Sequence, residues 1–123
     1  MQILDNITQL EKEATEFGFN WSQPQQIIQQ ITSEIKEIET ELTKNNQNLL
    51  QEEIGDLLHA VCSLCLFCGF DIESTLTIAQ EKFAKRFSAV KQYAQQKGHK
   101  NLRGVPFDEL MQIWNAVKIS EKE

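Results

Sequence analysis

Two acidic pairs placed symmetrically about a polar segment constrain this chain more than any other feature. Glu34 and Glu37 are separated by three positions, and so are Glu53 and Asp56. In a helix this spacing puts both side chains of a pair on one face, where like charges repel each other. The segment Lys44-Asn45-Asn46-Gln47-Asn48 between the pairs predicts the turn of an antiparallel helical hairpin.

Such a hairpin would bring four carboxylates to the same height. Both pairs are equally far from a turn centred on residue 45, so they lie about 15 Å below it at a rise of about 1.5 Å per residue. Oxygen donors that converge from two helices suit a hard divalent cation such as Mg²⁺. The alternative is that these acids are solvated surface residues, as most glutamates are.

Apolar residues on the two helices predict which faces meet. The stripe on the first helix is Ile27, Ile31, Ile35, Ile38 and Leu42, and the stripe on the second is Leu50, Leu57, Val61 and Leu64. At about 100° per residue, the acids, with Glu41, fall along the borders of these stripes. We therefore expect the carboxylates to line a groove beside the hydrophobic seam.

The rest of the chain also has a helical pattern. It has 123 residues, two prolines and five glycines, and no strand-like alternation. Helices are predicted over residues 2–17, 24–44, 48–68 and 107–118. Between the last two, another helix is predicted to begin at Asp71 or Ser74 and to end at about residue 97. We expect one all-α domain over residues 1–123, with a four-helix-bundle-like core and a short additional C-terminal helix.

Several finer features of these helices are also predicted. Ser22 is a candidate cap for the second helix, and Asp71 or Ser74 for the fourth. The third helix, apolar in its second half, should be the most buried element. The expected core stripe of the fourth helix is Leu76, Phe83, Phe87, Val90 and Ala94.

Targeting signals and cysteines bear on the compartment. The N-terminal residues lack a basic segment followed by an apolar one, and the longest apolar run, residues 57–70, is too short to span a bilayer. We expect a cytoplasmic protein with no membrane partner. Cys62, Cys65 and Cys68 have a metal-site-like spacing, but they lie in an apolar helix, which favours buried free thiols over ligands.

Charge is unevenly distributed along the chain. Residues 1–81 contain three Lys/Arg and fourteen Asp/Glu, whereas residues 82–123 contain nine and four. The net charge of −6 disfavours a nucleic-acid partner, because such binding depends on a basic surface. Lys82 and Arg86 share a helix face, and mirroring about a turn near residue 70 places them at the height of the carboxylates. This arrangement suits a ligand that has phosphates and a bound metal.

These motifs together resemble the MazG family of nucleoside triphosphate pyrophosphohydrolases, which belongs to the all-α NTP pyrophosphatase superfamily. The resemblance includes the acidic pairs, the Lys82-Phe83-x-x-Arg86-Phe87 motif, Gly18-Phe19-Asn20-Trp21 and Trp114-Asn115-Ala116-Val117-Lys118. It covers nearly the whole chain and is greatest for the C-terminal domain of tandem MazG proteins. Ser33 and Gln80 depart from the usual pattern, where Glu and Asn are more typical.

The resemblance implies Mg²⁺-dependent hydrolysis of a nucleoside triphosphate to the monophosphate and pyrophosphate, with Mn²⁺ as a possible substitute metal. It implies that Glu34, Glu37, Glu53 and Asp56 bind the metal and that Lys82 and Arg86 bind the phosphates. Glu37 is our choice of general base. Trp114 or Trp21 is the candidate to stack on the nucleobase, although tryptophan at helical core spacing is often a packing residue.

Two other functional classes remain open on the sequence alone. Glu53-x-x-Asp56-x-x-His59 resembles half of a di-metal carboxylate redox site, although such bundles use two Glu-x-x-His motifs, and His59 is expected to be a lone polar or interface residue. A non-enzymatic helical interaction module is the other class. We also expect at least a homodimer, because the first and third helices have more apolar surface than one thin bundle covers and because MazG family members dimerise.

The basic motif gives a first prediction. Arg86→Ala should lower kcat/KM by about 10²-fold or more, which corresponds to roughly 3 kcal/mol of transition-state stabilisation. Lys85 points away from the proposed groove at about 100° per residue, so Lys85→Ala is the charge-matched control and should be nearly silent. Equal losses in steady-state assays of the two variants would show that only the net charge matters.

Overall fold

The computed structural model describes residues 1–122 and consists of five α-helices connected by short loops. The helices are α1 (Gln2–Phe17), α2 (Pro24–Lys44), α3 (Gln47–Phe67), α4 (Ile72–Gln96) and α5 (Phe107–Glu121). No strand is present among the described residues. The prediction of an all-α chain is confirmed, and the predicted ends differ from the observed ones by three residues at most.

A two-residue turn joins α2 to α3. Asn45 ends α2 in the left-handed region, with a φ of 57°, which asparagine tolerates better than most residues. Asn46 begins α3, and its side-chain oxygen accepts a hydrogen bond from the backbone N–H of Leu49 at 3.2 Å. Both ends of the turn are thus stabilised locally, and the hairpin predicted from the sequence forms.

Two other helix starts differ in detail from expectation. The N-cap of α2 is Gln23 rather than Ser22, and the side chain of Gln26 reaches back to accept hydrogen bonds from the backbone N–H groups of both residues. Of the two candidates for α4, Asp71 is the cap. Its carboxylate accepts from the backbone N–H and the hydroxyl of Ser74, and these bonds lower the pKa of Asp71 below its usual value.

The α2–α3 seam has a different phase from the one predicted. On α2 the least exposed residues are Ile27, Ile31, Glu34, Ile38 and Glu41, and on α3 they include Leu50, Glu53, Leu57, Ala60 and Leu64. Ile35, Leu42 and Val61, which we expected in the core, are exposed. Glu34, Glu41 and Glu53 therefore lie within the seam rather than along its border, whereas Glu37 and Asp56 are exposed.

The chain divides into two compact units, residues 1–75 and the residues from 76 onward. In the first unit α3 packs against α2 and α1. In the second, Ile113 and Val117 of α5 are buried, and the Trp114 ring contacts that of Phe83 at 6.0 Å between centroids. The predicted single domain over residues 1–123 stays a prediction, and its last residue lies outside the described range.

Much apolar surface stays exposed in a single chain. Ile54, Leu58 and Phe67 of α3 are exposed. Because the other helices also have exposed apolar residues, the prediction that α3 is the most buried element stays a prediction. Leu76, Phe83 and Phe87 of α4 are also exposed, although Ala94 is buried as predicted. Exposed apolar residues that share one helix, as on α3, are typical of a surface that packs against a partner.

Among residues 1–122, no single helix is both long and apolar enough to cross a bilayer. The pair α3 and α4 meets the length and composition criteria only when the two helices are taken together across the bend between them.

Candidate metal centre and adjoining cavity

Three of the four predicted ligands meet in the α2–α3 seam. Glu34 and Glu37 of α2 and Glu53 of α3 each offer one carboxylate oxygen, and these three oxygens lie within 4.8 Å of one another. Glu34 is 7% exposed, Glu53 is half-buried and Glu37 is exposed. If all three carboxylates were ionised, their repulsion would cost a large amount of free energy. A bound cation, or a proton on one of the carboxylates, removes most of that cost.

The pKa of Glu53 reflects the repulsion among these carboxylates. The pKa of Glu53 is raised to about 7, first by the hydrogen bond between its carboxyl and that of Glu37, then by burial and by Glu34. A hydrogen bond between two carboxyl groups requires a proton on one of them. With a pKa of about 7, Glu53 is about half protonated at neutral pH when no cation is bound, and it is largely protonated at lower pH.

Unsatisfied oxygens indicate where a cation fits. Oε1 of Glu34 accepts a hydrogen bond from the side-chain amide of Gln30 at 2.7 Å, but no donor in the described part of the chain reaches the buried Oε2 of Glu34 or of Glu53. Buried polar atoms normally have partners. A ligand set made only of carboxylate oxygens matches a hard cation such as Mg²⁺ or Mn²⁺, so these residues fit the metal that the sequence predicts.

Asp56, the fourth predicted ligand, does not belong to this group of three. It lines a cavity of about 690 Å³ that also reaches Glu34. The other lining residues come from α1, from the segment after it, and from α2 and α3: Leu10, Glu11, Ala14, Phe19, Asn20, Trp21, Gln30, His59, Ala60 and Ser63. Its size and its mixture of apolar walls and a few polar groups are typical of a small-molecule site.

Polar residues of α1 and α3 form a network in this cavity that the sequence analysis missed. The hydroxyl of buried Ser63 donates a hydrogen bond to Oε1 of Glu11, and the same oxygen lies 3.5 Å from Nε2 of His59. His59 is therefore not the lone histidine that we expected. In the sequence, the spacing of Asp56, His59 and Ser63 indicates that they share one face of α3. It does not indicate their partner Glu11, which is 52 residues away from Ser63.

The residues predicted to bind the phosphates, and Trp114 as one of the two candidates to stack on the nucleobase, lie in the second unit. Lys82 is exposed on α4. The Nε of Arg86 donates to both oxygens of Glu121, and the guanidinium lies over the Trp114 ring at 5.7 Å from its centroid. Trp114 is therefore a packing partner of Phe83 and Arg86 in this unit, whereas Trp21 lines the cavity beside Glu34 and Asp56.

Cysteines take no part in a metal group among the described residues. Cys62, Cys65 and Cys68 are free thiols, the first two half-buried and the third exposed, so they are less buried than predicted. Burial raises the pKa of Cys62 above its usual value.

Comparison with known proteins tests the resemblance directly. The model of the MazG nucleotide pyrophosphohydrolase domain matches residues 22–90, which is more than half of the chain and contains both acidic pairs and the basic motif. The chain belongs to this family. The match excludes the whole of α1 and of α5.

Individual proteins similar to this chain include two that are named nucleoside triphosphate pyrophosphohydrolases. The "nucleoside triphosphate pyrophosphohydrolase/pyrophosphatase MazG" of Thermotoga maritima is 30% identical over 109 residues, 89% of this chain and 41% of the relative. The "nucleoside triphosphate pyrophosphohydrolase" of Escherichia coli K12 is 31% identical over 114 residues, 91% of this chain and 43% of the relative. An uncharacterised Bacillus subtilis protein, YabN, is 29% identical over 77 residues, 63% of this chain and 16% of the relative. The chain thus spans about two fifths of the length of the first two.

Metal binding and pH should be coupled through Glu53. Its folded-state pKa of about 7 lies above the ordinary value of 4.5, so the native protein retains a proton that the unfolded chain releases between these values. Metal-free stability should therefore fall as pH rises through this window, with the full penalty present above pH 7. Glu53→Gln removes that penalty, and in EDTA at about pH 8 the variant should melt several degrees above the wild type.

The thermal midpoint also tests whether the carboxylate cluster binds a cation. Millimolar Mg²⁺ should raise the thermal midpoint of the wild type, because the cation binds the native state alone, and should leave Glu53→Gln nearly unchanged. Glu52→Gln, at an exposed neighbouring acid, is the matched control and should respond like the wild type. A wild-type midpoint that neither Mg²⁺ nor EDTA moves would refute the site.

Proposed function

We propose that this protein hydrolyses nucleoside triphosphates to nucleoside monophosphates and pyrophosphate, with Mg²⁺ as the metal and Mn²⁺ as a substitute. The observation that supports this proposal most is the carboxylate cluster with donorless buried oxygens, which lies within the segment that matches the MazG domain. The names of two relatives agree with this activity.

The proposed roles of the acids follow from their burial. Glu34, Glu37, Glu53 and Asp56 hold the metal, which when bound neutralises phosphate charge and makes a water more acidic. Glu37 is the exposed member of the cluster of three, so water reaches its carboxylate most easily. We assign it as the base that accepts the water proton as the bond between the α and β phosphates breaks.

In this proposal, different residues bind the phosphates and the nucleoside of the substrate. In our proposal Lys82 and Arg86 bind the phosphates, as the sequence predicts, because cations there offset charge that develops during the reaction. The cavity next to Glu34 and Asp56 receives the nucleoside, with the Trp21 ring available to stack on the base. Trp114, already packed against Phe83 and Arg86, is the other candidate for that contact.

Assembly and location complete the proposal. The exposed apolar side chains of α3, which include Ile54, Leu58 and Val61, favour a homodimer in which this surface is covered. A cytoplasmic location suits free thiols and a nucleotide substrate. No nucleic-acid partner is proposed, because the chain is acidic overall.

Activity is tested by mixing the purified protein with an equimolar panel of ribo- and deoxyribonucleoside triphosphates and Mg²⁺. We expect pyrophosphate and monophosphates as products, measured by anion-exchange chromatography. Asp56→Asn should reduce the rate by about 10²-fold or more because it removes a ligand charge, while helicity by circular dichroism stays intact. Glu52→Gln should keep full activity. Release of orthophosphate instead of pyrophosphate, or no turnover with either metal, would refute the proposal.

Oligomeric state has its own test. Light scattering at micromolar concentration should give about twice the chain mass of 14.2 kDa. Leu58→Glu places a charge on the exposed apolar surface of α3 and should shift the population towards the monomer, since burying that charge costs several kcal/mol. An active wild-type sample with a monomeric mass would contradict the dimer.

A further inference from the structure

Arg86 is held on two sides within the second unit. Its Nε donates to Oε1 and Oε2 of Glu121 at 3.1 and 2.9 Å, and its guanidinium carbon lies 5.7 Å from the centre of the Trp114 ring. The side chains of Arg86 and Glu121 are only 22% and 26% exposed. A long arginine side chain with two such contacts has lost most of its rotamer freedom.

The contact with Glu121 leaves most of the guanidinium unused. An arginine has five N–H donors in one plane, one on Nε and four on Nη1 and Nη2. Both hydrogen bonds of Arg86 within the described residues come from Nε. The edge formed by Nη1 and Nη2 therefore keeps its four donors, and this edge has the geometry that binds two oxygens of a phosphate group side by side.

Helix α5 explains why the two contacts coexist. Trp114 and Glu121 are seven residues apart, about two helical turns, so they lie on the same face. Val117, between them on this face, is buried and anchors the helix. One rigid helix thus supplies both the ring under the guanidinium and the carboxylate at its Nε, so the position of Arg86 depends on α5 as a whole.

We propose that Glu121 is a positioning residue that orients Arg86 so that its Nη1–Nη2 edge binds phosphate oxygens of the substrate. This inference rests on the proposed role of Arg86 in triphosphate hydrolysis. Glu121 lies outside residues 22–90, which match the family model, so the match itself assigns it nothing. The negative charge of Glu121 repels an anionic ligand, but its effect on the orientation of Arg86 outweighs this repulsion.

Binding of tripolyphosphate in the presence of Mg²⁺ shows which effect of Glu121 is larger, the orientation of Arg86 or the repulsion of the anion. Trp21 and Trp114 are the only tryptophans, so in a Trp21→Phe background the fluorescence of Trp114 reports on binding next to Arg86. Glu121→Ala removes both the acceptor and the charge, whereas Glu121→Gln keeps an acceptor oxygen. We expect the Kd to rise about 3- to 10-fold for Glu121→Ala, since the arginine must then be ordered on binding, and to rise less for Glu121→Gln.

Glu109→Gln is the matched control, because Glu109 is exposed on the first turn of the same helix, and it should bind tripolyphosphate like the parent. If both Glu121 variants bind as tightly as Glu109→Gln or more tightly, repulsion dominates and the proposal is overturned. Circular dichroism of each variant verifies that α5 is intact.

A double-mutant cycle tests whether Glu121 acts through Arg86. A lysine has no Nε–H beside its terminal group, so Arg86→Lys should weaken binding, and Glu121→Ala should then have no further effect. An unchanged effect of Glu121→Ala in the Arg86→Lys background would overturn the proposal. The result is independent of turnover: a protein that releases no pyrophosphate but shows this coupling supports the positioning role and refutes only the hydrolysis.

Discussion

The packing of carboxylates into the contact between α2 and α3 is the constraint on which the first unit depends. Glu34 and Glu53 occupy positions in the seam that apolar side chains would otherwise take, and exposed Glu37 lies close to both. The Oε2 atoms of Glu34 and Glu53 have no donor among the described residues. Without a cation, the pKa of Glu53 rises until the cluster holds a proton. Folding of the hairpin and formation of the site are therefore one process, because the contact that buries the helices also brings the charges together.

The charged groups are divided along the chain. The first unit contains the acids and the cavity, and the second contains Lys82 and Arg86. Each set depends on a different kind of support. The acids are fixed by the register of a helical hairpin, whereas Arg86 is fixed by side-chain contacts with one helix, α5. Substitutions that loosen α5 are thus expected to change the orientation of Arg86 and to leave the register of the α2–α3 hairpin unchanged.

Sequence reasoning found the elements and the facing acids but not the phase of the seam. The helix pattern and the polar turn were sufficient to place Glu34, Glu37 and Glu53 together, because a short turn leaves little freedom in register. The predicted stripe includes Ile35 and Leu42 because it follows apolar residues alone, whereas the observed seam takes in Glu34 and Glu41. Burying a carboxylate is normally unfavourable, and a bound proton or cation reduces that cost. The pairs Glu11–Ser63 and Arg86–Glu121 could not be predicted, because each joins residues far apart in sequence.

Asn45 and Asn46 form the entire connection between α2 and α3, and this brevity limits which sequence changes the family member can accept. Most surface loops tolerate insertions at a small entropic cost. Here one added residue, continued into either helix, would shift Glu53 relative to Glu34 by about 1.5 Å along the axis and about 100° around it. Glu53 would leave the seam entirely. An insertion in this turn is therefore expected to separate the carboxylates unless a second change restores the facing register, so the length of this connection is constrained by the carboxylate cluster rather than by loop entropy.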